Sequence, residues 1–330
     1  MIRFATIGTN FITDRFVEAA ARCGGLTFTG VYSRKEETAK SFAGKYGVEK
    51  IYTDLEKLAR DPEIDGVYIA SPNAFHYSQA LQMLKRGKHV LCEKPGASNA
   101  WEWKRMMEIA LTKGVVLLEA MRSVFDPGFT AVQNNLEKIG KIRRASFQYC
   151  QYSSRYDRYK AGIIENAFRP EFSNGALMDI GVYCVHPLVR LFGMPSQVQG
   201  NTLLLPNGVD GEGTIFLKYP EMLAELVYSK ITDSYSPSQI QGEKGCMMLD
   251  KIQDTRNITL IFRDGTQEKI FVEKPANNMV YEAEVWCHLI ESGNSKEAEK
   301  LMRYTEQELT VMDMAREIMG ICFPADRERR

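Results

Sequence analysis

No two of the seven cysteines stand at C-x-x-C spacing, and their number is odd. That argues against a disulfide framework and against a zinc knuckle. An excess of either charge is also missing, since 42 basic residues balance 42 acidic ones. Without a basic run, the electrostatic footprint of a nucleic-acid binder is absent, and no nucleic-acid partner is expected. No apolar run reaches 18 residues, and no apolar leader precedes the first strand. Neither a membrane span nor a secretory signal is therefore expected. The expected compartment is the cytoplasm, where thiols stay reduced. Repeats and low-complexity tracts are lacking as well.

What remains is ordinary globular material, 44% hydrophobic and 25% charged over 330 residues. That length exceeds one ordinary core, so two domains are expected, 1–122 and 123–330. Through about residue 120 apolar strands alternate with helical spacing. Strands are read at Ile2–Ile7, Thr27–Tyr32, Ile51-Tyr52, Gly66–Ala70, His89–Cys92 and Val115–Glu119. The helix after the first strand carries Phe16, Val17, Ala20 and Ala21 at helical spacing. Short loops between alternating elements mean right-handed βαβ units and a doubly wound parallel sheet, the dinucleotide-binding Rossmann pattern.

Ligands of such a sheet bind at the carboxyl ends of its strands. After the first strand stands Gly8-Thr9-Asn10-Phe11-Ile12-Thr13, where the usual fingerprint reads G-x-G-x-x-G. Gly8 keeps the tight turn. Asn10 replaces the second glycine, and asparagine tolerates left-handed dihedrals better than most residues. Amides at the following helix N-terminus are expected to receive phosphates. The second strand ends in Ser33-Arg34-Lys35, with no acid before Glu36. A carboxylate there would hold the ribose of NAD, whereas serine and arginine suit a 2′-phosphate, so NADP is favoured over NAD. Ser71-Pro72-Asn73 and His76 follow the fourth strand. His89–Pro95 (HVLCEKP) ends its strand in Glu93, Lys94 and a proline.

Past residue 122 the rhythm changes. Strand-like runs at 141–152, 201–205, 213–219, 223–230, 238–242, 246–249, 258–262 and 269–272 are separated by turn signals, among them Asp210-Gly211. The spacing predicts an α+β domain with a large, mostly antiparallel open sheet, bracketed by helices over Ala176–Phe192, Met279–Glu291 and Thr305–Cys322. A frayed tail is expected at Arg327–Arg330. In Ser173–His186 (SNGALMDIGVYCVH), Asp179, Tyr183 and His186 fall at i, i+4 and i+7 of an otherwise apolar helix. That spacing places an acid, a phenol and an imidazole on one face. A helix so apolar is buried, and its polar groups then need partners.

These segments together resemble the Gfo/Idh/MocA family of oxidoreductases, which includes glucose–fructose oxidoreductase, inositol dehydrogenase and dimeric dihydrodiol dehydrogenase. The likeness runs over nearly the whole chain. It rests on Gly8–Thr13, Ser71-Pro72-Asn73 with His76, Glu93-Lys94-Pro95, and Gly175 to His186. It implies metal-free hydride transfer between a nicotinamide and a secondary alcohol or carbonyl of a sugar, polyol or dihydrodiol. It implies Lys94, Asp179 and Tyr183 as the catalytic set, with Tyr183 as acid/base. A phenol acting as base at neutral pH needs a cation beside it, and Lys94, oriented by Asp179, is the expected one. Gly8, Thr9, Asn10, Phe11, Ile12, Ser33, Arg34, Ser71, Pro72, Asn73, His76, Glu93 and Lys94 are the expected cofactor contacts. Arg122, Tyr156, Arg169 and His186 are substrate candidates. The second sheet implies a homodimer or homotetramer. The departures are Asn10 and Thr13 in the loop, and Ser173-Asn174 where relatives carry glycines. Two rival readings stand beside this one: an inositol or glucoside dehydrogenase using His186, and a dinucleotide-binding regulatory protein without catalysis.

Overall fold

The run Ile2–Ile7 is buried at every position but Arg3, as a strand covered on both faces of a parallel sheet must be. In the computed structural model, which describes residues 1–329, it forms β1. The sheet continues with β2 (Leu26–Tyr32), β3 (Lys50–Tyr52), β4 (Gly66–Ile69), β5 (His89–Glu93) and β6 (Leu117–Ala120). All pair in parallel, in the order β3-β2-β1-β4-β5-β6. This is the doubly wound dinucleotide-binding order. The intervening helices are α1 (Phe11–Cys23), α2 (Glu36–Lys45), α3 (Leu55–Arg60), α4 (His76–Lys85) and α5 (Ala100–Lys113). Helix α1 buries Phe16, Val17, Ala19 and Ala20. Ala21, expected on that face, is exposed, and Ala19 takes its place.

The chain divides into two units. One comprises Met1–Arg122 and Ala276–Glu306, the other Ser123–Pro275 and the chain from Gln307 onward. Residues 276–306, expected with the second domain, thus pack with the first. The reason is Trp286 in the helix Met279–Ser292, fully buried with its ring 6.4 Å from Phe4 of β1. Trp103 of α5 also donates to the Met302 carbonyl at 2.9 Å.

The second unit holds β7 (Ile142–Cys150), β8 (Gln197–Leu204), β9 (Asp210–Lys218), β10 (Leu223–Ser229), β11 (Ser238–Gly242), β12 (Gly245–Leu249), β13 (Asn257–Phe262) and β14 (Gln267–Phe271). Their order is β14-β13-β12-β11-β7-β10-β9-β8. Every pairing is antiparallel except β7 with β10. Register places Ala145 and Phe147 beside Ala224 and Leu226, all buried. The opposite face carries Ser146, Gln148, Glu225 and Val227, all half-buried. Asp210-Gly211, expected as a turn, begins β9 instead, because Asp210 is fully buried and bonded.

The helical stretch Pro170–Phe192 has a mean hydropathy of 1.3 and the length to cross a bilayer. Its apolar character serves a core, since 78% of its apolar window is buried within the fold. At the C-terminus a 3₁₀ turn covers Pro324–Arg329, where fraying was expected. Arg330 lies outside the described residues.

Candidate active site

The loop after β1 is shaped by close approach. Gly8 has φ +122°, and a Cβ there would sit 2.8 Å from the Ala70 carbonyl oxygen at the end of β4. Only glycine fits both constraints. Asn10 does something other than expected. Its φ is −88°, ordinary extended backbone, and it is the N-cap of α1. Its Oδ1 accepts from the Ile12 and Thr13 amides at 3.0 and 3.2 Å, and its Nδ2 donates to Ala70 O at 2.9 Å. The helix amides at 12 and 13, expected to receive phosphate, thus already have an acceptor in the side chain that replaced the glycine. Phe11 is largely exposed at the helix start. Ser33 accepts from the Lys35 amide at 3.4 Å beyond β2, and Arg34 is exposed there.

At the ends of β4 and β5 the polar residues serve first as tethers. His76 is fully buried. Its Nε2 lies 2.8 Å from Ser71 O and its Nδ1 3.0 Å from Pro95 O. The ring therefore ties the Ser71-Pro72-Asn73 loop to the loop carrying Lys94. Burial pulls its pKa below the ordinary value, against the two carbonyls. Ser71 Oγ donates to Gln79 Oε1 at 2.6 Å, and Asn73 is buried.

Glu93 is buried as well. Tyr68 Oη, from β4, donates to Glu93 Oε1 at 2.5 Å, and Phe16 of α1 stacks on that tyrosine with centroids 3.8 Å apart. Burial raises the Glu93 carboxyl above its usual range, against Tyr68 and Lys94. The Lys94 amide donates to Glu93 Oε2 at 3.2 Å, and the Gly96 amide to Glu119 Oε1 at 2.8 Å. The Lys94–Pro95 bond is cis. Lys94 is thus a half-buried lysine on a loop pinned at Glu93, Pro95 and Gly96. Arg122 donates to Asn278 Oδ1 at 2.8 Å.

In the second unit, the segment carrying Asp179 and Tyr183 is not α-helical throughout, as Ala176–Phe192 was expected to be. Leu177–Gly181 is a π-helical turn, and the α-helix covers Val182–Phe192. Such turns concentrate at functional sites. Two glycines admit it. Gly175 has φ +155°, and a Cβ there would lie 1.8 Å from Asp210 Oδ1. Gly181 would place a Cβ 3.0 Å from the Tyr228 ring of β10. Asp210 Oδ2 accepts from the Leu177 amide at 2.6 Å and so holds the start of the turn. Just before it, Ser173 has φ +55°, a conformation that favours glycine.

Asp179 is about one-third exposed, and its Oδ2 lies 2.9 Å from Lys230 Nζ. Tyr183 is buried, its ring edge-on to Tyr149 at 5.7 Å. His186 is buried and its Nδ1 is engaged by Glu308. Tyr156 stacks on Phe168 with centroids 5.9 Å apart, and Arg169 Nε donates to Ile164 O at 3.1 Å. Lys230, Asp210, Tyr149 and Glu308 were not singled out from the sequence. Lys230 did carry a signal of the kind that exposed Lys94, a lone cation closing an apolar strand.

A doubly wound parallel sheet with a glycine-cradled first loop is the dinucleotide-binding class of fold. Comparison with known proteins makes the assignment specific. Residues 2–121 match the model of the oxidoreductase family with NAD-binding Rossmann fold, and residues 135–248 match the GFO/IDH/MocA C-terminal domain. The chain belongs to the Gfo/Idh/MocA family of NAD(P)-dependent oxidoreductases. It is 47% identical over 327 residues to the scyllo-inositol 2-dehydrogenase (NADP+) IolU of Bacillus subtilis, covering 99% of this chain and all of that one. It is 30% identical to the trans-1,2-dihydrobenzene-1,2-diol dehydrogenase of Xenopus tropicalis, over 89% of this chain and 90% of that one. Among solved structures, KijD10, a 3-ketoreductase from Actinomadura kijaniata in complex with NADP and TDP-benzene, superposes with a TM-score of 0.87 at 19% identity. That match covers 98% of this chain and 99% of the other, and it speaks to fold.

Proposed function

We propose that the protein is an NADP-dependent dehydrogenase of a cyclic polyol, with an inositol as the first candidate substrate. The observation that carries this reading is the full-length, 47% likeness to an NADP+-linked scyllo-inositol 2-dehydrogenase. The residues fit the cofactor. Gly8 leaves room for a close backbone approach, and Ser33 with exposed Arg34 ends β2 where a 2′-phosphate is read. Thr9, Phe11, Ile12, Ser71, Pro72, Asn73 and Glu93 complete the proposed cofactor set. His76 acts by holding two of its loops.

When bound, the nicotinamide accepts or gives the hydride. Tyr183 removes the proton of the alcohol, or returns it to the carbonyl oxygen in reduction. Lys94 stabilises the alkoxide charge, and Asp179 orients the reacting hydroxyl. Arg122, Tyr156 and Arg169 are proposed to line the substrate side. The seven free thiols support a reducing compartment, the cytoplasm. The half-buried outer face of the second sheet supports a homodimer or homotetramer.

The reading that uses His186 as acid/base is weaker, because His186 lies at i+7 from Asp179 rather than at i+4, where the acid/base is placed. A purified sample assayed with inositols, dihydrodiols and sugars, with NADP+ and NAD+ in parallel, tests the reading through absorbance of the reduced nicotinamide. Tyr183→Phe should lower turnover on the order of 10²–10⁴-fold while binding NADPH normally. Binding of NADPH with no hydride exchange toward any of these substrates would favour the regulatory reading.

A further inference from the structure

Lys230 closes β10 and is almost completely buried, which places its amine in the core of the second unit. Its Nζ meets three acceptors of different kinds. Asp179 Oδ2 lies at 2.9 Å, the Ala167 carbonyl at 2.7 Å, and the Phe168 ring centroid at 4.6 Å. Asp210, which holds the start of the π-turn, also feels its charge. A buried ammonium is costly unless every proton has a partner. The arrangement is therefore specific: one lysine joins the helix that carries Asp179 to the aromatic segment that carries Phe168. That segment is held in turn by Asn207, whose Nδ2 donates to Phe168 O at 2.7 Å while its Oδ1 accepts from Tyr159 Oη at 2.9 Å.

We propose that Lys230 is a positioning residue for the reaction. It fixes one carboxylate oxygen of Asp179 and so sets the direction in which that group meets the substrate hydroxyl. The inference rests on the reading that Asp179 acts on the substrate. A carboxylate one-third exposed on a flexible χ2 would sample several orientations, and an ion pair to a buried ammonium removes most of them. The role is indirect, since Lys230 itself is closed off from solvent.

A double-mutant cycle tests it, using Lys230→Met, Asp179→Asn and the pair, each assayed with NADP+ and scyllo-inositol. Lys230→Met is expected to lower kcat on the order of 10²-fold, with the dissociation constant for NADPH unchanged. The double variant should be no slower than Asp179→Asn alone, because the lysine acts through that carboxylate. If the methionine variant does not fold, Lys230→Arg enters the same cycle, with thermal unfolding as the check on structure. Losses that multiply in the double variant, or a Lys230→Met variant that folds and turns over normally, would overturn the role. A wild type inert toward the whole polyol panel would instead overturn the functional reading on which the role rests. An active wild type with multiplying losses sinks the positioning role alone.

Discussion

Asp210→Asn should change how stability depends on pH, in a direction set by burial. Asp210 is fully buried, and desolvation pushes its pKa from 3.8 up to about 6, against the Leu177 and Ala176 amides and the charge of Lys230. In the unfolded chain the same carboxyl titrates near its ordinary value. The folded state therefore holds its proton over a pH range where the unfolded state has lost it. Stability is highest below pH 3.8 and falls as pH rises through about 6, above which it levels off. The difference between 3.8 and about 6 corresponds to about 3 kcal/mol, of which about 2 kcal/mol falls between pH 4.5 and 7.5.

Asparagine cannot ionise and keeps one oxygen for the Leu177 amide. Denaturant melts of wild type and Asp210→Asn across that window should show the variant gaining on the wild type by about 2 kcal/mol as pH rises. A difference that stays flat, or that moves the other way, would refute the reasoning. It would mean that the helix amides and Lys230 outweigh desolvation, and that Asp210 is an ordinary ionised cap.

Asn10→Ala removes the cap of α1 and the bond to Ala70 O, so it should cost about 1 kcal/mol of unfolding free energy by denaturant melts; an unchanged value would mean that the cap contributes nothing. If Arg34 holds the 2′-phosphate as proposed, Arg34→Glu should lower the ratio of kcat/KM for NADP+ to that for NAD+ by about tenfold or more. Glu282→Gln should raise stability at pH 7. Glu282 is fully buried, its two oxygens have no partner among the described residues, and burial holds its pKa well above 4.5. The wild type thus loses stability as pH rises past 4.5, so the advantage of glutamine over it should shrink as pH is lowered toward that value in matched melts.

The parallel sheet was legible because its evidence is local. Apart from the short, half-buried edge strand β3, each strand of the sheet is a largely apolar run that ends in a short loop before helical spacing begins, so period and punctuation specify the winding. Loop residues were legible by place but not by role. Asn10 was read for the dihedrals it can adopt, whereas what it does is cap α1, and the cap depends on Ala70, sixty residues further along. His76 was read as a cofactor contact, and only the fold shows it bonding two loops at once. In each case the residue type announced a polar task, and the partner that defines the task lay beyond the reach of sequence spacing.

The acid–phenol pair shows the same limit from the other side. Asp179 and Tyr183 were found because helical periodicity puts i and i+4 together, a relation that four residues of sequence can express. Their support could not be found that way. Lys230 is 51 positions from Asp179 and Asp210 is 33 from Leu177; one follows β10 and the other begins β9, and the sheet brings both in. Asp210-Gly211 even resembles a turn, since a carboxylate beside glycine is most often solvated. Its burial makes sense only once a π-turn with orphan amides stands opposite it, at a glycine that leaves no room for a Cβ. A buried polar residue at a strand end is therefore best read by asking which helix terminus or charge it could satisfy. Applied to this chain, that question leads from Asp179 to Lys230 and from the π-turn to Asp210.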